Sequence, residues 1–381
     1  MDKVSLPIGL ELISAFVLFF IAGALTATLG ASLPMLATYF NLAEPDSSVI
    51  TIYNLGAFVS VSTIAVWGSK LPLTRLLLFI VIFCLGCGIM SQVVNWTGFI
   101  TACSIAGMGY GGLVLLLNTA CAQGFGLRSV IVVNWLNATF GIGAICGPIV
   151  AGILGTDNIL VMILAISIVA LAGIPSFRLG KVLETTPLQV GNNFKFGKFQ
   201  PIVLFFLLTG GLYAGLETSI GVWFSTSLSS SGWNLNIASS SVSYFWLGIA
   251  LGRFVVPLFT LHLIPSVAIN SYLAIATVML TAAVFTGKAI YFYPLAGFAF
   301  SPVLPTMFAW IGKLSASPQQ LTAILMIVTM LSNAVIPSVV GYFSSPKSPI
   351  SISLSLLGVC ILATLAAFIV YYLMRTNNKN T

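Results

Sequence analysis

Residues 207–223 read LLTGGLYAGLETSIGVW, an apolar run with one carboxylate, Glu217, near its centre. Comparable runs recur along the whole 381-residue chain, in which 59% of residues are hydrophobic and 6% are charged. A soluble domain carries about 25% charged residues, and it could not hide so much apolar surface from water. The composition therefore argues against a soluble enzyme, a nucleic-acid binder or a disordered chain, and it predicts an integral membrane protein.

The apolar runs are long enough to cross a bilayer as helices, which takes about 20 residues each. They are continuously apolar, whereas a barrel strand would alternate. We predict twelve transmembrane helices, at 8–33, 48–68, 73–94, 97–121, 129–155, 158–177, 200–226, 239–262, 266–287, 290–312, 319–343 and 350–374.

The placement of basic residues predicts the orientation of these spans. With the N-terminus in the cytoplasm, eleven of the fourteen Lys and Arg residues fall in inside loops or tails, two in outside loops and Arg253 within a span. Because cytoplasmic loops carry the excess of Lys and Arg, we expect both termini to be cytoplasmic and the protein to reside in the cell (inner) membrane.

The chain also repeats itself at half its length. The longest polar stretch, 178–199, divides the spans six and six. A shift of about 189 residues places Pro148 and Gly152 on Pro337 and Gly341. Such weak internal symmetry is typical of transporters built from two six-helix bundles. We predict an all-α membrane protein with pseudo-two-fold symmetry, comprising an N-terminal bundle (1–177), a cytoplasmic central loop (178–199) and a C-terminal bundle (200–381); a channel or a membrane-bound enzyme is the alternative.

Two charges, Glu217 and Arg253, lie well away from the ends of predicted spans, where a charge costs roughly 2.5–3.5 kcal/mol on insertion scales. Glu217 lies midway along the seventh span, with Tyr213 one turn before it. A carboxyl there can exchange a proton, bind a polar solute or help to hold sodium, or it can form a static hydrogen bond. Arg253, in the eighth span, can bind an anion, pair with Glu217 or reach the cytoplasmic gate.

Neutral polar and aromatic residues within spans are further candidates for contact with a solute, although each could equally serve packing between helices. The candidates are Asn118, Asn134, Asn137, Trp223 and Trp246.

Glycine and proline mark helices that pack closely or bend. Gly147 and Pro148 lie in the fifth span, and Pro302 and Pro305 lie one turn apart in the tenth. Proline removes a backbone hydrogen bond, so a gating role and a permanent kink are both open for these residues.

Nothing in the sequence indicates a cofactor or a metal. Cys84 and Cys87 form a lone C-x-x-C inside a span, and His262 is the single histidine. The chain has no phosphate-binding G-x-x-x-x-G-K-[ST] motif. We expect a monomer whose partners are lipids and a small solute rather than nucleic acid, with no cofactor and with H⁺ or Na⁺ as the coupling ion.

Three motifs resemble the fucose–proton symporter-like and sodium-dependent glucose transporter-like branch of the major facilitator superfamily. The seventh span matches Y-x-G-x-E-x-x-x-G-x-W from Tyr213 to Trp223, the eighth matches W-x-G-x-x-x-G-R from Trp246 to Arg253, and the tenth contains SPVLPT at 301–306. The resemblance implies the major facilitator fold and ion-driven transport of a sugar by alternating access.

The chain departs from these patterns at two places. Asn137 stands where the branch often has His, and GSKLPLTR (68–75) lacks the Asp usual for the superfamily. The Gly-Pro motif of the fifth span is also typical of proton-coupled exporters, so export of drugs or amphipathic compounds is the alternative function. A transporter-like receptor that senses its solute without moving it is a third.

Overall fold

The computed structural model describes residues 9–67, 75–180, 201–260, 262–314, 318–344 and 348–377. These residues form α-helices and short 3-10 helices and no β-strand, as expected where a bilayer offers the backbone no hydrogen-bond partner. The α-helices of the described residues are α1 (Leu10–Ala31), α2 (Leu33–Tyr39), α3 (Ser48–Trp67), α4 (Arg75–Met90), α5 (Trp96–Gly124), α6 (Ser129–Leu154), α7 (Ile159–Leu171), α8 (Pro201–Ser230), α9 (Leu235–Thr260), α10 (Pro265–Thr286), α11 (Ala289–Phe300), α12 (Val303–Leu314), α13 (Pro318–Phe343) and α14 (Pro349–Asn377).

Within these ranges, nine helical segments are long and apolar enough to cross a membrane. A tenth is reached if α7 is joined to the 3-10 helix Ile174–Gly180, which follows it at a bend of 49°. Two further apolar helices, α3 and α4, are shorter. Each predicted span coincides with one of these segments. The all-α membrane fold is therefore confirmed, while the count of twelve spans remains a prediction.

Besides the bent sixth span, two predicted spans are interrupted. The first ends at Ala31, and the short helix α2, which we did not predict, follows after Ser32. The tenth is divided into α11 and α12 by Ser301 and Pro302. Proline has no N–H to continue the helical hydrogen bonding, so the interruption coincides with the first proline of the predicted pair. Pro302 is buried, and Pro305 is exposed in the first turn of α12.

The chain separates into two compact units, Met1–Asn192 and Asn193–Thr381. The boundary between the units lies within 181–200, outside the described residues. Most of the loop 68–75, which lacks the Asp usual for the superfamily, also lies outside them. The limits proposed for the central loop therefore remain predictions.

Each unit repeats the same pairing of helices. In the first unit, α1 packs along α6, α3 packs on α5, and α4 contacts α5 and α7. In the second unit, α8 packs along α13, α9 packs on α11, and α10 contacts α11 and α14. The helices that carry Pro148 and Pro337, α6 and α13, occupy matching places in this pairing. The weak repeat in the sequence thus corresponds to a repeated packing pattern.

Glycine allows α1 and α6 to approach closely. A Cβ atom added at Gly143 would collide with the carbonyl oxygen of Phe20, and one added at Gly147 would lie 2.5 Å from the carbonyl oxygen of Ala24. Pro148, the next residue, is buried within α6. Gly147 and Pro148 therefore lie in a tight contact between two helices of the first unit.

Candidate functional site

Glu217 lies in the middle of α8, and its closest side-chain partner comes from the same helix. Tyr213 is one turn earlier, so the two side chains share one face of the helix. The hydroxyl of Tyr213 donates a hydrogen bond to one carboxylate oxygen of Glu217. Tyr213 is fully buried, whereas the Glu217 side chain is 17% exposed. Tyr213 therefore acts on Glu217 and orients the carboxyl group.

Arg253 approaches the other carboxylate oxygen from α9. Its Nη2 atom lies 3.5 Å from Oε1 of Glu217, and its side chain is 49% exposed. Charge-assisted hydrogen bonds usually measure about 2.7–2.9 Å, so this is a loose ion pair. Of the three roles left open for Arg253, the structure shows pairing with Glu217. The carboxylate thus has one close neutral partner and one more distant cationic partner.

A second polar contact lies beside this cluster and was not predicted. The hydroxyl of Thr218 donates to Oδ1 of Asn333 on α13, at 3.0 Å. Pro337, four residues after Asn333, has no N–H and therefore leaves the backbone carbonyl of Asn333 without its helical partner. The contact with Thr218 is made by the side chain of Asn333. The proline was visible in the sequence, but only the packing of α8 on α13 brings Asn333 next to Thr218.

The two tryptophans that we predicted to contact a solute, Trp223 and Trp246, differ in their contacts. The indole of Trp223 is 1% exposed, and its Nε1 donates to the carbonyl oxygen of Pro337 at 2.8 Å. It thereby joins α8 to α13 and offers no ring face to a solute in this structure. Trp246 packs edge-on against Phe245 and beside Gly221. Its Nε1 is buried and has no hydrogen-bond partner among the described residues.

The asparagines form a separate group in the first unit. Nδ2 of Asn137, on α6, donates to Oδ1 of Asn118, on α5, at 2.8 Å. Asn134, one turn before Asn137, is exposed. The predicted site residues therefore fall into two groups, one in each unit: amides on α5 and α6, and the cluster of Glu217, Tyr213 and Arg253 on α8 and α9.

Two other features have structural roles within the described residues. Glu11 in the first turn of α1 pairs with Arg178 of the 3-10 helix after α7, at 3.5 Å. Cys84 and Cys87 are buried free thiols. The described part of the chain contains no group of three or more His, Cys, Asp or Glu side chains placed to hold a metal ion.

Comparisons with known proteins define the fold. No protein-family model and no curated protein matches the chain. Among solved structures, a single-site mutant of the nucleoside transporter NupG has a TM-score of 0.74 at 15% identity, covering 95% of this chain and 100% of that chain. A D-xylose–proton symporter gives 0.70 at 14% identity, covering 94% and 96%.

The transporter FucP, described as a member of the major facilitator superfamily in its outward conformation, has a TM-score of 0.54 at 17% identity, covering 93% of this chain and 97% of that chain. At these identities the likeness concerns the fold. This chain has the fold of the major facilitator transporters, so the predicted resemblance is confirmed at that level. The fucose symporter to which its motifs point is one of the neighbours.

Proposed function

We propose that the protein is a secondary transporter that moves a small polar solute, such as a sugar, through an inner membrane by alternating access, driven by a proton gradient. One observation carries this proposal: Glu217, in the middle of α8, is held by a neutral hydroxyl on one side and by a loose, half-exposed arginine on the other. A carboxyl in such surroundings has a partner in both of its charge states.

The physical argument concerns the balance of charge inside the bilayer. When Glu217 is ionised, Arg253 offsets its charge at 3.5 Å. When Glu217 is protonated, its attraction to Arg253 is lost while the polar contact with Tyr213 can persist. Because an unpaired charge inside a membrane is costly, protonation would release Arg253 toward another polar partner. Binding of a proton would thereby change which groups of the second unit are available to a solute.

The names of the structural neighbours support the same class of function. They include a D-xylose–proton symporter and a nucleoside transporter. Both descriptions name small polar solutes, and the first names the proton as the coupling ion. Twelve spans, in two repeated units of six, complete the proposed architecture.

The proposal is tested by transport into proteoliposomes that contain the purified full chain, with labelled hexoses, pentoses and nucleosides as solutes. We expect an inward proton gradient to drive accumulation of at least one solute. Glu217→Gln cannot ionise and mimics the protonated carboxyl. It should abolish accumulation while exchange of labelled for unlabelled solute continues.

Glu11→Gln is the matched control, because Glu11 also pairs with an arginine at 3.5 Å but lies at the end of a helix. It should accumulate solute like the unmodified protein. Normal accumulation by a folded Glu217→Gln variant would contradict proton coupling through Glu217. Accumulation driven by sodium instead of protons would identify sodium as the coupling ion. Accumulation under an outward proton gradient would indicate export.

A further inference from the structure

The paired asparagines of the first unit present unused hydrogen-bonding groups. An asparagine amide has two N–H donors and one carbonyl oxygen that accepts. Asn137 uses both N–H groups, one on Asn118 and the other on the carbonyl of Val133 at 2.9 Å. Asn118 uses one N–H on the carbonyl of Val114. Within the described part of the chain, one N–H of Asn118 and the side-chain oxygen of Asn137 have no partner.

These two groups offer one donor and one acceptor on neighbouring side chains. Asn137 is exposed and Asn118 is partly buried. Polar groups are costly in hydrocarbon unless they are hydrogen-bonded, so this face of α5 and α6 requires water or a polar solute as its partner.

An aromatic surface adjoins the amides. Phe140 follows Asn137 by three residues and lies on the same face of α6. Its ring is 6.2 Å from that of Tyr110, which stacks on Tyr53 at 5.3 Å. Tyr53 is 1% exposed, and its hydroxyl lies 3.2 Å from that of Thr26 on α1. Tyr53 therefore covers one face of the Tyr110 ring, and Tyr110 and Phe140, both half-buried residues, form the aromatic surface.

We infer that these residues bind a solute with a flat heteroaromatic ring whose edge carries an N–H donor next to a carbonyl acceptor, the chemistry of a nucleoside or a free nucleobase. The ring would stack on Phe140, and its edge would accept from Asn118 and donate to Asn137. This inference rests on the proposed transport function and narrows its solute to a sugar that carries a base, or to the base alone.

A simple sugar fits this surface less well. A sugar hydroxyl both donates and accepts and can meet this donor and acceptor, but a simple sugar has no flat aromatic ring to stack on Phe140. Carboxylates, each of which can accept from two hydroxyls, lie only at helix ends and in connections in the described part of the first unit. They are Glu11, Glu44, Asp46 and Asp157.

The test measures equilibrium binding to the purified full chain. Labelled uridine should bind, and unlabelled uridine should compete with it. In 3-methyluridine a methyl group replaces the N–H at the edge, and it should bind about tenfold more weakly or worse, as expected for the loss of the hydrogen bond to Asn137. Ribose and glucose should not compete. Uracil distinguishes a nucleoside from a free nucleobase as the solute. If uracil competes as well as uridine does, the base alone is recognised.

Asn137→Ala should weaken uridine binding by about tenfold, for the same reason. Asn158→Ala is the matched control, since its amide makes the same bond to the carbonyl four residues earlier, at 3.1 Å. It should bind like the unmodified protein. If Asn137→Ala fails to fold, the comparison of uridine with 3-methyluridine on the unmodified chain still decides the question.

Several results would overturn the inference. They are binding of glucose but not uridine, equal binding of uridine and 3-methyluridine, unchanged uridine binding by folded Asn137→Ala, and binding of none of these probes. Glucose accumulation driven by protons would overturn it and leave the proposed function intact. Uridine binding that depends on Asn137, with no proton-driven accumulation, would support the inference and contradict the proposed function.

Discussion

At the scale of single residues, the second unit holds Glu217 through two separate contacts. Tyr213 fixes the orientation of Glu217 from within the same helix, and Arg253 supplies the opposite charge from α9. The first contact is local and the second depends on how two helices pack. A movement between α8 and α9 would therefore change the charge balance of Glu217 without disturbing its orientation.

The role of Arg253 is tested by changing the shape of the cation and then its charge. We expect Arg253→Lys to retain proton-driven accumulation within about threefold, because a single loose ion pair needs a positive charge and not a forked guanidinium. Arg253→Gln removes the charge and leaves Glu217 without its counter-ion. Accumulation should fall by about tenfold or more, equivalent to at least about 1.4 kcal/mol.

Both Arg253 variants are measured in the same proteoliposomes, after the folded fraction has been checked by gel filtration. Loss of activity in the Lys variant equal to that in the Gln variant would refute a role based on charge. It would indicate instead that Arg253 binds an anionic group with two parallel hydrogen bonds.

At the scale of elements, the contact between α1 and α6 shows how small residues decide helix spacing. Gly143 and Gly147 lie one turn apart and face the backbone of α1. In lipid, helices gain stability chiefly from close packing and interhelical polar contacts, which is why small residues concentrate at such surfaces. α8 and α13 hold the matching place in the second unit, where the bond from Trp223 to Pro337 ties them together.

The tight packing predicts a sharp difference between two glycines of α6. Gly143→Ala should destabilise the protein by about 1–3 kcal/mol, because its methyl group would meet the rigid backbone of Phe20. Gly141→Ala is the control, since no atom lies within 4 Å of a Cβ at that position. It should leave stability unchanged or raise it slightly. Thermal unfolding of the detergent-solubilised variants, followed by tryptophan fluorescence, measures both, and equal unfolding temperatures would contradict the packing.

At the scale of the whole molecule, repetition and charge placement define the architecture. The same helix pairing occurs in both units, and basic residues concentrate in the loops assigned to the cytoplasm. Arg128, Arg178 and Arg375 all lie at helix ends on that predicted side. Six spans in each unit would return the chain to the side on which it began.

The topology predicts that both termini are cytoplasmic. A reporter that is active only in the cytoplasm should function when fused after Thr381, and one that is active only outside should not. The same pair of reporters inserted after Asp157, between α6 and α7, should give the reverse result. External activity at Thr381 would require an odd number of spans or the opposite orientation.

Much of this architecture could be predicted from the sequence, because each membrane span is one continuous apolar segment of the chain. An apolar run of about 20 residues must satisfy its own backbone and therefore forms a helix. A carboxylate inside such a run stands out, so Glu217 was identifiable. Tyr213 was identifiable as its neighbour because residues four apart in a helix share one face. The interruption at Pro302 has an equally local cause.

Contacts between helices could not be obtained in this way. The sequence left three roles open for Arg253, and only the packing of α9 against α8 shows its pairing with Glu217. The same holds for Asn118 with Asn137, and for Trp223, a candidate for solute contact that instead bonds to Pro337. Helical periodicity specifies which side chains share a face, but it contains no information on which faces meet. That choice depends on the shapes of two surfaces at once, and so only the tertiary structure decided it.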